Sequence, residues 1–135
     1  MEFDQEPEAH EDLERVFREV GPRVARNLTR STTQAVAKEI AKEIKSKAPK
    51  DEGVLRKSIK AVRKRMRYDV AEAWIIGVYY WWFIEHGTVD KPSRPFVKPV
   101  VDTFSERRML NIFVVQFGNK LEAAIRRAWK HRRDR

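Results

Sequence analysis

Apolar positions along the chain fall into helical patterns at its two ends and strand-like patterns between them. Leu13, Val16, Phe17 and Val20 recur at helical spacing until Gly21-Pro22 interrupts them, which predicts a first short helix. Pro22 suits the opening turn of a second helix, in which Val24, Leu28, Val36, Ile40 and Ile44 share a side and Lys38, Glu39, Lys42, Glu43 and Lys45 lie opposite. Thr29-Arg30-Ser31-Thr32-Thr33 is a weak point for helix propensity. The helix stops by Ala48-Pro49, because proline disfavours helical geometry in the residue before it, and Pro49 to Gly53 reads as a turn. Val54 to Ile59 fits either a helical turn or the start of a strand.

Ile59 to Arg65 and Val70 to Val78 then read as two antiparallel strands joined through Met66 to Asp69. In the second, Val70, Trp74, Ile76 and Val78 share one face and the small residues Ala71, Ala73 and Gly77 the other. One face goes to the helices and the other admits close approach. Tyr79 to Phe83 is a run of five aromatics, an apolar segment expected to be buried, with Gly87 turning the backbone behind it. The prolines that follow hold Arg94, Phe96 and Lys98 extended, so the expectation is a fixed loop that leaves the body and returns, a docking surface. From Pro99 a long helix is predicted through Val100, Phe104, Met109, Phe113, Phe117, Leu121, Ile125 and Trp129, with Gly118 as a kink or break. Ile112, Val114 and Val115 widen its apolar surface beyond one stripe, which points to contact with other subunits.

The expected class is therefore α+β: a long N-terminal helix, a small antiparallel sheet built on a β-hairpin, and a long C-terminal helix. Its expected organisation is an acidic flexible arm at 1–9, a single domain at 10–131 and a basic tail at 132–135. Cysteine is absent, so disulfides and thiolate metal sites are excluded, which fits a cytosolic life. No apolar run reaches the roughly 20 residues that span a bilayer, and the N-terminus is acidic, so secretion and membrane insertion are not expected.

Charge is unevenly divided. Residues 1–20 hold eight carboxylates against Arg15 and Arg18, six net negative charges, so of the chain's net +9 the remainder carries +15. Such a split steers encounters with polyanions and lets one subunit's acidic arm meet its neighbour's basic body. Arg56, Lys57, Lys60, Arg63, Lys64, Arg65 and Arg67 form one basic cluster, candidates for a DNA channel or another polyanion, and Arg126 to Arg135 a second. Arg63, Arg65 and Arg67 would share a strand face. Base-reading signatures are missing, and the aromatic run lacks the interleaved cations of a stacking platform, so it reads as core or interface.

Catalytic constellations are not found either. His10, His86 and His131 show no metal-ligand spacing, Ser58, Ser93 and Ser105 lack a nucleophile signature, and no Gly-rich phosphate loop occurs. Glu85-His86 is the one suggestive pair, and its structural reading is that Glu85 caps or bridges the following loop or pairs with Arg94. No enzyme activity, cofactor or metal is expected.

Three spaced segments together resemble a known family. Ala48-Pro49-Lys50-Asp51-Glu52-Gly53-Val54-Leu55-Arg56-Lys57-Ser58-Ile59 is similar to its AP-x-D-T-G-x-L-x-x-SI segment, Tyr80 to Thr88 to its Y-A-x-F-V-E-F-G-T segment, and Pro92 to Pro99 to its PA-R-PF-L-x-PA segment. The positions that carry the likeness, and with it a candidate interface loop, are Pro49, Gly53, Leu55, Ser58, Ile59, Tyr80, Phe83, Glu85, Gly87, Thr88, Arg94, Pro95, Phe96 and Pro99. Glu52, Trp81 and Val100 depart from the pattern, where the family has Thr, Ala and Ala. The family is that of small tail-component or neck proteins of long-tailed double-stranded DNA phages, also called tail-completion or head–tail joining proteins. The resemblance implies a non-enzymatic virion protein, assembled in the host cytoplasm as a ring of six copies. Its implied neighbours are head-completion or connector proteins and tail-tube or tail-terminator proteins, with transient non-specific contact to genomic DNA and none to membrane. A tail terminator at the same junction, or a free basic nucleic-acid-binding protein, are the alternatives.

Overall fold

Helix α1 (Pro22–Lys47) is the element against which most of the others pack. The computed structural model describes residues 18, 21–68 and 70–134; the acidic arm at 1–9 and the short helix expected around Leu13 to Val20 lie outside the described residues. After α1 come α2 (Gly53–Ser58), β1 (Lys60–Arg63), β2 (Ala73–Ile76), α3 (Trp81–His86), α4 (Lys98–Thr103) and α5 (Glu106–Arg133). The architecture is α+β, two long helices and a two-stranded antiparallel sheet. Helix α1 meets α5, both strands, α4 and α2.

The weak stretch of α1 is helical throughout because its hydroxyls find partners. Thr29, Thr32 and Thr33 each donate to the carbonyl four residues back, at 2.9, 2.6 and 2.8 Å, which lets Thr32 sit fully buried without an orphaned polar group. Leu28, Ala37, Ala41 and Ile44 complete the buried stripe. Ala41, Ile44 and Ala48 continue into a core with Leu55, Ile59, Phe96, Val100 and Phe104. Residues 54–59, ambiguous in sequence, form the short helix α2 and place Leu55 and Ile59 in that core.

The sheet is shorter than expected, and its outer face is the larger one. Lys60 pairs with Ile76, Ala61 with Ile75, Val62 with Trp74 and Arg63 with Ala73. Ala61 and Ile75 pack on the core, whereas Trp74 and Ile76 are exposed, so the small-residue face turns inward and lets α1 approach closely. Lys64 covers the outward Trp74 ring at 4.0 Å from its centroid, and Arg63 donates to the Gln34 side chain of α1.

The single helix expected from Pro99 is two. Phe104, at φ −88 and ψ 77, leaves helical geometry, and the Ser105 hydroxyl accepts the Arg108 N–H at 3.1 Å to begin α5. Gly118, by contrast, does not break α5: it sits inside the 28-residue helix at an exposed position with open space where a Cβ would go. Arg108 also reaches Glu43 of α1 at 2.6 Å across the face of Phe104, tying the two long helices together. Replacing Ser105 with alanine is expected to cost about 1 kcal/mol, read as a lower urea midpoint with an unchanged slope. Among the described residues no helix is long and apolar enough to cross a membrane.

Candidate assembly interface

The three sequence segments are distant in the chain and meet in space. The second meets the third at the carboxylate of Glu85, which lies in the last turn of α3 in a buried position, 5% exposed. One oxygen accepts the Phe96 and Val97 N–H groups at 2.7 and 2.9 Å, and the other accepts the Lys98 N–H at 2.9 Å. Three donors that open α4 are thereby capped by a side chain from another element. Burial pushes the Glu85 carboxyl up, but the three backbone N–H groups outweigh it and hold the pKa below the ordinary 4.5.

Around this point the chain is closed by local bonds. Arg94 N–H donates to the Ile84 carbonyl at 2.9 Å, and Thr88 N–H to the Lys91 carbonyl at 2.9 Å. Gly87 caps α3 at φ +80, its N–H on the Phe83 carbonyl at 2.8 Å, and passes so close to the loop that a Cβ there would lie 2.7 Å from the Ser93 nitrogen. The Ser58 hydroxyl donates to the Leu55 carbonyl at 2.6 Å and accepts the Val78 N–H at 2.9 Å, which binds the first segment to the approach of the second.

Arg94 does not pair with Glu85. Its guanidinium takes both oxygens of Asp51, at 2.9 and 3.0 Å, and one of Glu52 at 3.3 Å, so the third segment is clamped to the first. That guanidinium, and then the backbone of Asp51 itself, hold the Asp51 carboxyl below its ordinary 3.8. The clamp is solvent-exposed, so Arg94→Ala is expected to lower stability by only about 0.5–1 kcal/mol, an effect that shrinks in molar salt when followed by urea unfolding.

The aromatic run is not a buried segment. A turn followed by a helix divides it by face: Tyr80, Trp81 and Ile84 pack on the core, while Tyr79, Trp82 and Phe83 are exposed. Tyr79 stands edge-on to Tyr80 with centroids 5.4 Å apart, and the Trp82 ring lies 3.8 Å from that of His86. Of the motif residues, Leu55, Ile59, Glu85 and Phe96 are buried, and Pro49, Ser58, Tyr80 and Gly87 half-buried. Gly53, Phe83, Thr88, Arg94, Pro95 and Pro99 face solvent. The likeness therefore resides mostly in a brace, and its solvent side is the loop the brace holds.

A second apolar surface lies on α5, where Leu110, Val114 and Val115 are 58%, 51% and 60% exposed. Beside it an open groove of about 470 Å³, lined by Val36, Ile40, Ile75 and Phe113 among others, runs between α1, β2 and α5. The basic cluster is split between elements: Arg56 and Lys57 are on α2, Lys60 and Arg63 on β1, and Arg65 and Arg67 in the connection that follows. Among the described residues no group of three or more His, Cys, Asp or Glu side chains is placed to hold a metal ion.

Sequence reasoning left the Glu85 cap and the Arg94 clamp as options or missed them, and it missed Glu43 with Arg108 entirely. Their partners lie 11 to 13, 42 to 43 and 65 positions away, beyond any local pattern. A lone carboxylate closing an apolar run was the one available signal for Glu85. No curated protein and no solved structure matches the chain. The family described as "Bacteriophage HK97-gp10, putative tail-component" matches residues 8–87, a span that includes the first segment and all of the second but Thr88, and leaves the third outside. With more than half its length inside that match and the matched segments joined in one brace, the chain belongs to this family of phage tail components.

Proposed function

We propose that the chain is a structural protein of the phage neck, completing the tail and joining it to the capsid portal or connector as a ring of six copies around the DNA channel. It acts by contact, without an active site, and its place is the virion. The observation that carries this reading is the presence of two unpartnered apolar surfaces on different elements: Tyr79, Trp82 and Phe83 around α3, and Leu110, Val114 and Val115 on α5. Rings of identical subunits close through heterologous contacts, in which one surface meets a different surface on the next copy. Exposed apolar patches on small soluble chains mark such contacts. The buried motif residues Glu85, Phe96, Leu55 and Ile59 fix the loop's shape, and Phe83, Thr88, Pro95 and Pro99 present it to a neighbouring copy or to a connector or tube protein.

Native mass spectrometry of the full chain tests the ring. A single six-copy species is expected, lost in the Leu110→Lys/Val115→Lys variant while circular dichroism stays unchanged. A chain that remains monomeric at high concentration, and in the presence of its virion neighbours, contradicts it.

A further inference from the structure

The C-terminal end of α1 and the start of α2 enclose an open groove of about 440 Å³ whose side-chain lining is Lys42, Lys45, Ser46, Lys50, Arg56 and Lys57. Five cations from two helices and a turn converge there, and no carboxylate lines it. The chain does carry acids beside these lysines, but the fold directs them elsewhere. Glu43 is held by Arg108, while Asp51 and Glu52 are held by Arg94. None of the five cations forms an ion pair with a carboxylate among the described residues. Arg56 is anchored, its Nε donating to the Lys45 carbonyl at 3.3 Å, which also covers one of the last carbonyls of α1 and removes an acceptor that would repel an anion. The hairpin cations are arranged differently: Arg63 is bonded to Gln34 and Lys64 lies on Trp74.

We propose that this groove binds the phosphodiester backbone of nucleic acid without regard to base sequence. A row of uncompensated lysines, flexible point charges, supplies multiple phosphate contacts by counterion release, and the one guanidinium is tied by its Nε to the Lys45 carbonyl rather than held in an array of base-reading donors. The binding is weak and reversible, with a dissociation constant of about 10 µM near physiological salt. This site stands apart from the tail assignment, because it would operate in a chain with no place in a tail.

The test is fluorescence anisotropy of a labelled random-sequence duplex titrated with the full chain and with two variants of equal charge. In one, Lys42, Lys45, Lys50 and Lys57, all exposed, become glutamine; in the other, the hairpin residues Lys60, Arg63, Arg65 and Arg67 do. The groove variant is expected to bind at least about tenfold more weakly and the hairpin variant less than about threefold. Wild-type affinity is expected to fall on the order of a hundredfold between about 50 and 200 mM salt, as four phosphate contacts require. Equal losses in the two variants would overturn the proposal, since net charge alone would explain them. So would absence of duplex binding at low salt, or selective binding of a peptide of residues 1–20 in the groove, which would make the acidic arm its occupant. Circular dichroism keeps the comparison to folded variants; if the fourfold groove change fails to fold, the pair Lys45→Gln/Lys57→Gln carries the same comparison against Lys60→Gln/Arg65→Gln.

Discussion

Replacing Glu85 with alanine lowers stability by about 4 kcal/mol, since it strands three backbone donors that the carboxylate alone satisfies. In a chain of this size the melting temperature falls by roughly 10–20 °C. Glu85→Gln keeps the volume and one acceptor but turns an NH2 toward the donors, so it costs about 2 kcal/mol. The pH dependence separates the cap from mere packing. The folded-state pKa of Glu85 lies below its unfolded value near 4.5, so its stabilisation is complete above that value and is lost as pH falls through the folded pKa. The gap between wild type and Glu85→Gln is therefore expected to be constant from neutral pH to about 5 and to narrow in more acidic solution. Urea unfolding across that range measures it. A gap unchanged down to pH 3 or so would show that the carboxylate's charge contributes nothing.

Gly87→Ala is the second large effect, and Gly21→Ala is its built-in control. Both glycines are in nearly the same conformation, φ 80 with ψ 169 and φ 83 with ψ 158, a region essentially closed to other residues. A Cβ at position 21 meets nothing within 4 Å, whereas at 87 it meets the Ser93 nitrogen at 2.7 Å, the Lys91 oxygen at 3.1 Å and the Pro92 carbonyl carbon at 3.1 Å. All three are backbone, so relief requires moving the loop. Gly21→Ala is expected to cost about 1–2 kcal/mol from conformation alone, and Gly87→Ala about 3–4 kcal/mol. The excess measures how tightly the loop is held against α3. Equal destabilisation in urea would mean that the 88–95 loop yields freely, and the brace would then not be rigid.

Where one side of an element is apolar and the other charged, its place could be read directly. The Leu28 to Ile44 stripe of α1 did so, as did the pairing of two short strands and the stop at Pro49. Where every candidate face is apolar, periodicity gives the alternation but not the direction. The sequence separated Val70, Trp74, Ile76 and Val78 from the small residues Ala71, Ala73 and Gly77 without saying which face meets the helices; in the structure Ala73 and Ile75 turn inward and Trp74 and Ile76 outward. Tyr79 to Phe83 posed the same difficulty in helical form: an unbroken aromatic run has no internal contrast to say which residues face out. Gly118 misled for the opposite reason, since an exposed glycine weakens a long helix without interrupting it, while the actual break comes at the serine cap two turns into the pattern.

The three motif segments were legible as segments, but not as one construction. Their bonds join side chains to backbone groups or to other side chains far along the chain, and only folding brings them within reach. This also changes what the motif residues do. Most of them hold the loop from within, so substitutions at Glu85 or Gly87 act on assembly through stability, whereas changes at Phe83 or Trp82 should alter assembly with little effect on folding.

Electron microscopy of particles produced with this reading frame interrupted tests the joining role most directly. Filled heads lying apart from finished tails are the expected result, and restoring the wild-type chain should rejoin them. Tails of uncontrolled length would assign termination instead of joining, and intact infectious particles would contradict a structural role in the neck altogether.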